Sequence, residues 1–296
     1  MACFSPLSAW QLTNGSIVFA ERGDISRRLE LPCGQCVGCR LERSRQWAIR
    51  VMHEASQHEH NCFITLTYND DNLPANGSLN YRHFQNFMKR LRKYYVEFTV
   101  RFYMCGEYGE NFARPHYHAC IFGIMFDDLE QIGTSPAGSP IYRSAILEKL
   151  WPFGYSSVGE VTFESAAYVA RYVMKKQTGQ AAKAHYRDVD LSTGEIIDKV
   201  PEFNRMSLKP GIGAKWYEKF KGDVFPHDRV VINGVECKPP KYYDRLLKKD
   251  SPLEFERIQF ERELDARSRS ADNTVERLTV KAEVVAARLS RLKRHI

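Results

Sequence analysis

Apolar residues alternate with polar ones in some stretches of the chain and recur every three or four positions in others, and each change of period marks an element. In the stretch from Arg40, Leu41, Trp47, Ile49, Val51 and Met52 stand among charges, which predicts an amphipathic helix packed on one side. Cys62 to Tyr68, CFITLTY, is β-branched and aromatic and closes on Asn69-Asp70-Asp71, a strand followed by a turn. From residue 80 to 95 the helical period returns through Phe84, Phe87, Met88 and Leu91, leaving a strongly basic outer face. Two strands follow, in 96–109 and 115–126, joined as a hairpin by the polar loop from Glu110 to Ala113. After a Gly/Ser/Pro-rich loop at 133–140, a short helix reaches Leu150. GYSSVGEVTF then reads as a strand, and ESAAYVARYVMKKQ as a helix with Glu164 in its first turn.

The order strand, helix, strand, strand, helix, strand, helix predicts an α+β fold, a central antiparallel sheet flanked by helices. Residues 1–40 read as a turn-rich, cysteine-rich segment, 41–222 as the main domain, and 223–296 as an extension. In the last part of the chain, KPGIGAKWYEKF reads as a turn feeding a short helix. VVINGVE is a small hairpin through Asn233-Gly234, and the tail from Ser251 is densely charged and helical in composition.

Composition narrows the function. No apolar run reaches membrane-spanning length and MACFSPLSAW lacks a basic-then-apolar signal, so the expected protein is soluble and intracellular. The formal charge of +7 concentrates in KRLRK (89–93), VMKK (173–176) and RLKRH (291–295), a pattern that suits a polyanion or merely a solvated helix face. Eight cysteines without a signal sequence argue against a disulfide framework.

Within the second hairpin strand, RPHYHACIFG carries His116 and His118 on one face, about 7 Å apart at the backbone, with Tyr117 on the other. Two readings stand: a pair of half-buried imidazoles satisfied by backbone or water, or two ligands of one metal ion. Glu107 lies across the hairpin from His116, because both are equidistant from the loop centre between Asn111 and Phe112. It can complete a His, His, Glu set that accepts Mg²⁺ or Mn²⁺. A surface role for Glu107, with Glu110 as the ligand instead, is the alternative. On the helix near residue 170, Tyr168, Tyr172 and Lys175 share one stripe, the phenols about 6 Å apart along the axis. Such a stripe is either core or a site; Ala167, Val169, Val173 and Met174 already supply an apolar face, which frees the phenols.

FITLTY, GEYGENFARPHYH and YVARYVMKK together resemble the HUH endonucleases. More closely, they resemble the rolling-circle replication initiators of microviruses, the gokushovirus-like single-stranded-DNA phages, over roughly residues 30 to 220. Tyr117 departs from the hydrophobic middle residue of that motif but faces away from the metal. The resemblance implies an HUH-like fold and metal-dependent, site-specific nicking of single-stranded or supercoiled origin DNA, in the cytoplasm of the bacterial host. Tyr168 and Tyr172 are then the nucleophiles, His116, His118 and Glu107 hold Mg²⁺ or Mn²⁺, and Lys175 assists. A phenolate attacks phosphorus to give a 5′-phosphotyrosine and a free 3′-hydroxyl, so the break can be resealed without water. Lys89, Arg90, Arg92, Lys93 and Lys176 are the candidate DNA contacts. The chain lacks GxxxxGK[ST], so unwinding falls to a host helicase and the host replication machinery.

Cys33, Cys36 and Cys39 form CxxCxxC, where CGQC resembles a zinc-knuckle turn, and Cys3 is the economical fourth ligand of a structural Zn²⁺. Free cysteines and an iron–sulfur cluster are the other readings. Cys62, Cys105, Cys120 and Cys237 are expected in the core. Two rival functions remain: a related transposase or relaxase, which commonly arranges its tyrosines differently, and a non-catalytic zinc-containing DNA-binding protein. The latter needs neither HxH nor YxxxY.

Overall fold

A computed structural model of the chain describes residues 3–109, 113–135, 138–175, 180–189, 194–225 and 227–291; the side chains at 75, 172–175, 180, 181 and 188 are outside that description. The chain divides into two compact units. One gathers the described residues up to Ser44 with those from Asp244 onward, and the other runs from Arg45 to Tyr243.

The first unit opens with strands β1 (Leu7–Leu12), β2 (Ile17–Val18) and β3 (Ile25–Leu31), ordered β2-β1-β3 and antiparallel throughout. The turn-rich reading of residues 1–39 missed this sheet. Its strands are mostly exposed, so the apolar alternation that would announce them is weak. The start of α1 (Val37–Ala55) follows.

The second unit holds the large sheet. Its strands are β4 (Asn61–Tyr68), β5 (Arg101–Tyr108) and β6 (Pro115–Phe122), then β7 (Glu130–Thr134), β8 (Pro140–Arg143), β9 (Gly154–Gly159) and β12 (Phe203–Met206). Between them lie α2 (Tyr81–Tyr94), α3 (Ala145–Leu150), α4 (Phe163–Lys175), α5 (Gln180–His185) and the small hairpin β10 (Arg187–Val189) and β11 (Ile196–Asp198). The order across the sheet is β12-β5-β6-β4-β9-β8-β7, with every neighbour antiparallel. The expected α+β architecture is therefore present. The supposed loop at 133–140 is the turn of an additional hairpin, β7 and β8.

Alternation along the strands sends each side chain to one of two cores. Ile64, Leu66, Tyr68, Met104, Tyr117, Ala119 and Ile121 face α2 and α3, whose Phe84, Phe87, Met88, Leu91, Leu147 and Leu150 fill that layer with Trp151. Phe63, Tyr103, Cys105, Cys120 and Phe122 face the other way, toward Ala48, Val51 and Ala55 of α1 and Ala166, Val169 and Ala170 of α4. Cys62, Cys105 and Cys120 are buried as expected, whereas Cys237 is only half-buried.

The second unit continues with α6 (Ala214–Val224), the hairpin β13 (Val230–Ile232) and β14 (Val235–Cys237), turning through Asn233 and Gly234 at positive φ, and the start of α7 (Lys241–Asp250). The charged tail forms α8 (Pro252–Ser268) and α9 (Val275–Arg291) in the first unit. There Arg27 pairs with Glu263 and Arg262 with Asp244. No helix among the described residues is long and apolar enough to cross a membrane.

Candidate metal centre and nucleophile

The β5–β6 register places Glu107 opposite His116 and Cys105 opposite His118, the pairing that loop arithmetic predicts. Gly109 shapes the hairpin end: its N–H donates to the Arg114 carbonyl at 3.0 Å, and a Cβ there would meet the His116 ring at 3.2 Å. Glu110 lies outside the described residues. Glu107 is only 1 % exposed, so the surface reading of it is wrong.

Both imidazoles aim Nε2 at the same carboxylate oxygen, Glu107 Oε1, at 3.0 Å from His116 and 2.9 Å from His118. Each ring is held from behind. His116 Nδ1 donates to the Arg114 carbonyl at 3.0 Å, and His118 Nδ1 lies 3.0 Å from Thr65 Oγ1. A carbonyl can only accept, so the neutral His116 ring carries its proton on Nδ1 and presents a lone pair at Nε2. That lone pair faces a carboxylate oxygen at 3.0 Å, an arrangement that repels unless a proton or a cation sits between them. The donor set, two imidazoles and one carboxylate with all ligand atoms within 4.8 Å, fits a divalent cation. Burial by itself raises the Glu107 pKa, but the hydrogen bonds and charges of His116 and His118 outweigh it and hold the carboxyl below its ordinary value.

Tyr168 reaches the same point from α4. Its hydroxyl donates to Glu107 Oε1 at 3.5 Å, and its ring meets His118 edge-on with centroids 5.0 Å apart. The helix is positioned at both ends of this contact. Thr162 and Ser165 cap it reciprocally: the Ser165 N–H donates to Thr162 Oγ1 and the Thr162 N–H to Ser165 Oγ. Asn204 on β12 donates to the Val169 carbonyl at 3.0 Å. The buried face of α4 is Ala166, Val169 and Ala170, with Ala167 partly buried, which leaves Tyr168 to the site. Tyr172 and Lys175 lie on the described backbone of α4, but their side chains, those of Val173 and Met174, and all of Lys176 are outside the described residues.

Tyr117 points away from the histidines, as expected, and its buried hydroxyl is satisfied on the opposite face. It donates to the Asn80 carbonyl at 2.8 Å, accepts from the Asn80 N–H at 2.9 Å and lies 3.0 Å from the Tyr68 hydroxyl. Asn80 is the N-cap of α2.

The basic residues of α2 sit on the helix that covers this opposite face. Arg90 Nε donates to the Leu150 carbonyl at 2.9 Å and Arg92 to the Val100 carbonyl, whereas Lys89 and Lys93 are exposed. On the catalytic face the row continues from Glu107 and His116 through Thr67 to Tyr155, which is 70 % exposed. Sequence reading overlooked Tyr155 and Thr65. The signal for Thr65 was present: Thr65 and Thr67 are polar residues two apart in an otherwise apolar strand, hence on one polar face.

In the other unit, Cys3, Cys33, Cys36 and Cys39 come together with all four sulfurs within 4.8 Å. Cys3 Sγ lies 3.7 Å from Cys33 Sγ and 3.9 Å from Cys36 Sγ. Tetrahedral Zn²⁺ with Zn–S near 2.3 Å sets sulfurs about 3.8 Å apart, so the set fits that ion. Backbone N–H groups already point at the sulfurs: Gln35 and Cys36 donate to Cys33 Sγ, Cys33 to Cys3 Sγ, and Phe4 to Cys36 Sγ. Gly34 at φ +75° turns the knuckle. Burial raises the Cys36 thiol, but the Phe4 N–H and hydrogen bonds from Cys39 and Cys33 bring it down to about 6.

A family model described as replication-associated protein ORF2 matches residues 61–177, the stretch from β4 through α4 that contains Glu107, His116, His118 and Tyr168. The chain is 35 % identical over 279 residues to the replication-associated protein ORF2 of Spiroplasma virus 4, covering 86 % of this chain and 83 % of that protein. It is 34 % identical over 263 residues to the replication-associated protein VP4 of Bdellovibrio phage phiMH2K (85 % and 79 %). With ORF4, the replication-associated protein of Chlamydia phage 1, it shares 33 % over 230 residues (74 % and 54 %). No solved structure gives a significant match.

Proposed function

The chain belongs to the microvirus family of replication-associated proteins, the ORF2 type, and from that premise we propose that it initiates rolling-circle replication by nicking and rejoining single-stranded origin DNA through a tyrosine nucleophile. The observation that carries this reading is the convergence on Glu107 Oε1 of His116 Nε2, His118 Nε2 and the Tyr168 hydroxyl. When bound by His116, His118 and Glu107, Mg²⁺ or Mn²⁺ supplies Lewis-acid polarisation of the scissile phosphate. Tyr168 then stands beside the phosphorus as the attacking phenol. Its oxygen forms the bond to phosphorus, the bond from phosphorus to O3′ breaks, and the departing 3′-oxygen takes up a proton. The phosphotyrosine keeps the bond energy that rejoining needs.

Tyr172 is assigned as the second nucleophile, one helical turn from Tyr168, and Lys175 as the group that neutralises charge or takes the phenolic proton. Lys89 and Lys93, with Arg90, Arg92 and Lys176, are assigned to DNA beyond the scissile junction. Cys3, Cys33, Cys36 and Cys39 are assigned to one structural Zn²⁺. Residues 41–222 form the endonuclease domain in this scheme, and the protein works in the bacterial cytoplasm with a host helicase.

The test incubates the protein with Mn²⁺ and end-labelled single-stranded oligonucleotides tiling the genome that encodes it, then resolves covalent adducts on a denaturing gel. Tyr168→Phe and Tyr172→Phe should each keep some single-turnover adduct, while the double variant forms none. An adduct in the double Phe variant overturns the assignment of the nucleophiles.

A further inference from the structure

Beside His118 and Tyr168 the catalytic face opens into a cleft of about 290 Å³, walled by Phe63 and Ile141 and bordered by Ser157, Glu160 and Glu164. Its volume sits at the lower edge of small-ligand sites, enough for one ring system and too small for a duplex. Its walls are apolar, and its polar border carries two carboxylates.

That chemistry selects an occupant. A phosphate would be repelled by Glu160 and Glu164, although the neighbouring metal ligands invite one. A nucleobase suits every wall: its faces pack on Phe63 and Ile141, and its edge meets hydroxyl and carboxylate acceptors. Because Tyr168 lines the cleft, a nucleotide whose phosphate is under attack by that phenol has its base at the opening. Exposed Tyr155, in the row of Glu107 and His116, offers a stacking surface for the adjoining base.

We propose that this cleft receives the base of one nucleotide next to the scissile phosphate, and that Glu160 and Glu164 make it favour a base with an exocyclic amine over thymine. The proposal rests on the nicking reading and adds to it a sequence-reading pocket. Adenine, cytosine and guanine each carry an amino group that can donate to a carboxylate, whereas thymine would turn carbonyl oxygens toward it.

The experiment takes one cleaved oligonucleotide and replaces each position flanking the nick, in turn, by an abasic site or by thymine. Adduct rate and equilibrium affinity are measured for the wild type, Ser157→Phe, and Glu160→Ala,Glu164→Ala. One flanking position should be sensitive, with thymine about tenfold worse than an amino-bearing base. Ser157→Phe, which fills the cleft from the sheet, should erase that sensitivity while still forming adduct. The double alanine variant should lose the thymine penalty and keep the abasic one. A flat scan, or discrimination that survives Ser157→Phe, overturns the pocket while leaving nicking intact. If no oligonucleotide forms an adduct, the nicking reading falls. The affinity scan over the same oligonucleotides then decides the pocket alone: one sensitive position erased by Ser157→Phe supports it, and a flat profile overturns it.

Discussion

Replacing Thr65 by Val removes one hydroxyl and nearly nothing else. Thr65 Oγ1 lies 3.0 Å from His118 Nδ1, and this contact fixes which ring nitrogen faces Glu107. The corresponding support of His116 is the Arg114 carbonyl, which no side-chain substitution removes. Val keeps the volume and the strand preference of Thr, so the fold should persist. Groups that orient metal-binding imidazoles typically contribute 10- to 100-fold in metal affinity, about 1.4 to 2.7 kcal/mol. The expected result is a Mn²⁺ requirement for adduct formation raised by about that factor, with most of the adduct recovered at saturating Mn²⁺. Thr65→Ser, which restores the hydroxyl, should return the midpoint close to wild type. The assay is a Mn²⁺ titration of adduct yield on a denaturing gel, with metal-free melting as the folding control. If the Val variant needs no more Mn²⁺ than wild type, or the Ser variant fails as badly, Thr65 does not orient His118 and the reasoning is refuted.

Burial lowers the His53 pKa to about 3, beneath the Trp216 ring and beside the Tyr243 hydroxyl. Only the unfolded chain therefore takes up that proton below about pH 6.5, and stability should fall as pH drops from there, by at most about 1.4 kcal/mol per pH unit. Melting curves between pH 7 and 5 should show a shallower slope for His53→Phe; an unchanged slope rejects the assignment. Metal analysis of the His116→Ala,His118→Ala variant should find about one zinc per chain, and Cys36→Ser should lose it; absence of zinc from both leaves the cysteines as ordinary thiols. Lys89→Gln,Lys93→Gln should weaken single-strand binding evenly across sequences and flatten the salt dependence by about 1.4 in log–log slope, at ~0.7 per phosphate contact. An unaltered slope removes α2 from the DNA path.

The catalytic centre was legible because its ligands are local. Glu107, His116 and His118 belong to one hairpin, and counting from the loop centre gives their register without knowledge of any other strand. Tyr168 was legible from the helical period alone. Thr65 was not assigned, since its role depends on β4 pairing with β6 across 53 residues of chain. The β7–β8 hairpin stayed hidden because Glu130–Thr134 is exposed along its whole length and shows no apolar alternation. The basic stripe of α2 was read correctly as an outer face, yet periodicity cannot tell which side of a sheet a helix will cover. Only the parity of the strand residues that meet Phe84 and Phe87 places it opposite the histidines.

The histidine strand and the tyrosine helix differ in how firmly they are seated. β6 is bonded along its length to β5 and β4, and Tyr117 pins it from below to the cap of α2. Moving His116 or His118 means breaking a ladder. α4 rests instead on Ala166 and Ala170, short side chains that give it a smooth underside. If two phenols serve one phosphate in succession, the displacement required is one turn, about 5.4 Å along the helix axis. The inexpensive way to supply it is to slide the helix over its alanines. Timekeeping in such an initiator would then belong to α4: the sheet marks a fixed place, and the travel of the helix decides whose turn it is.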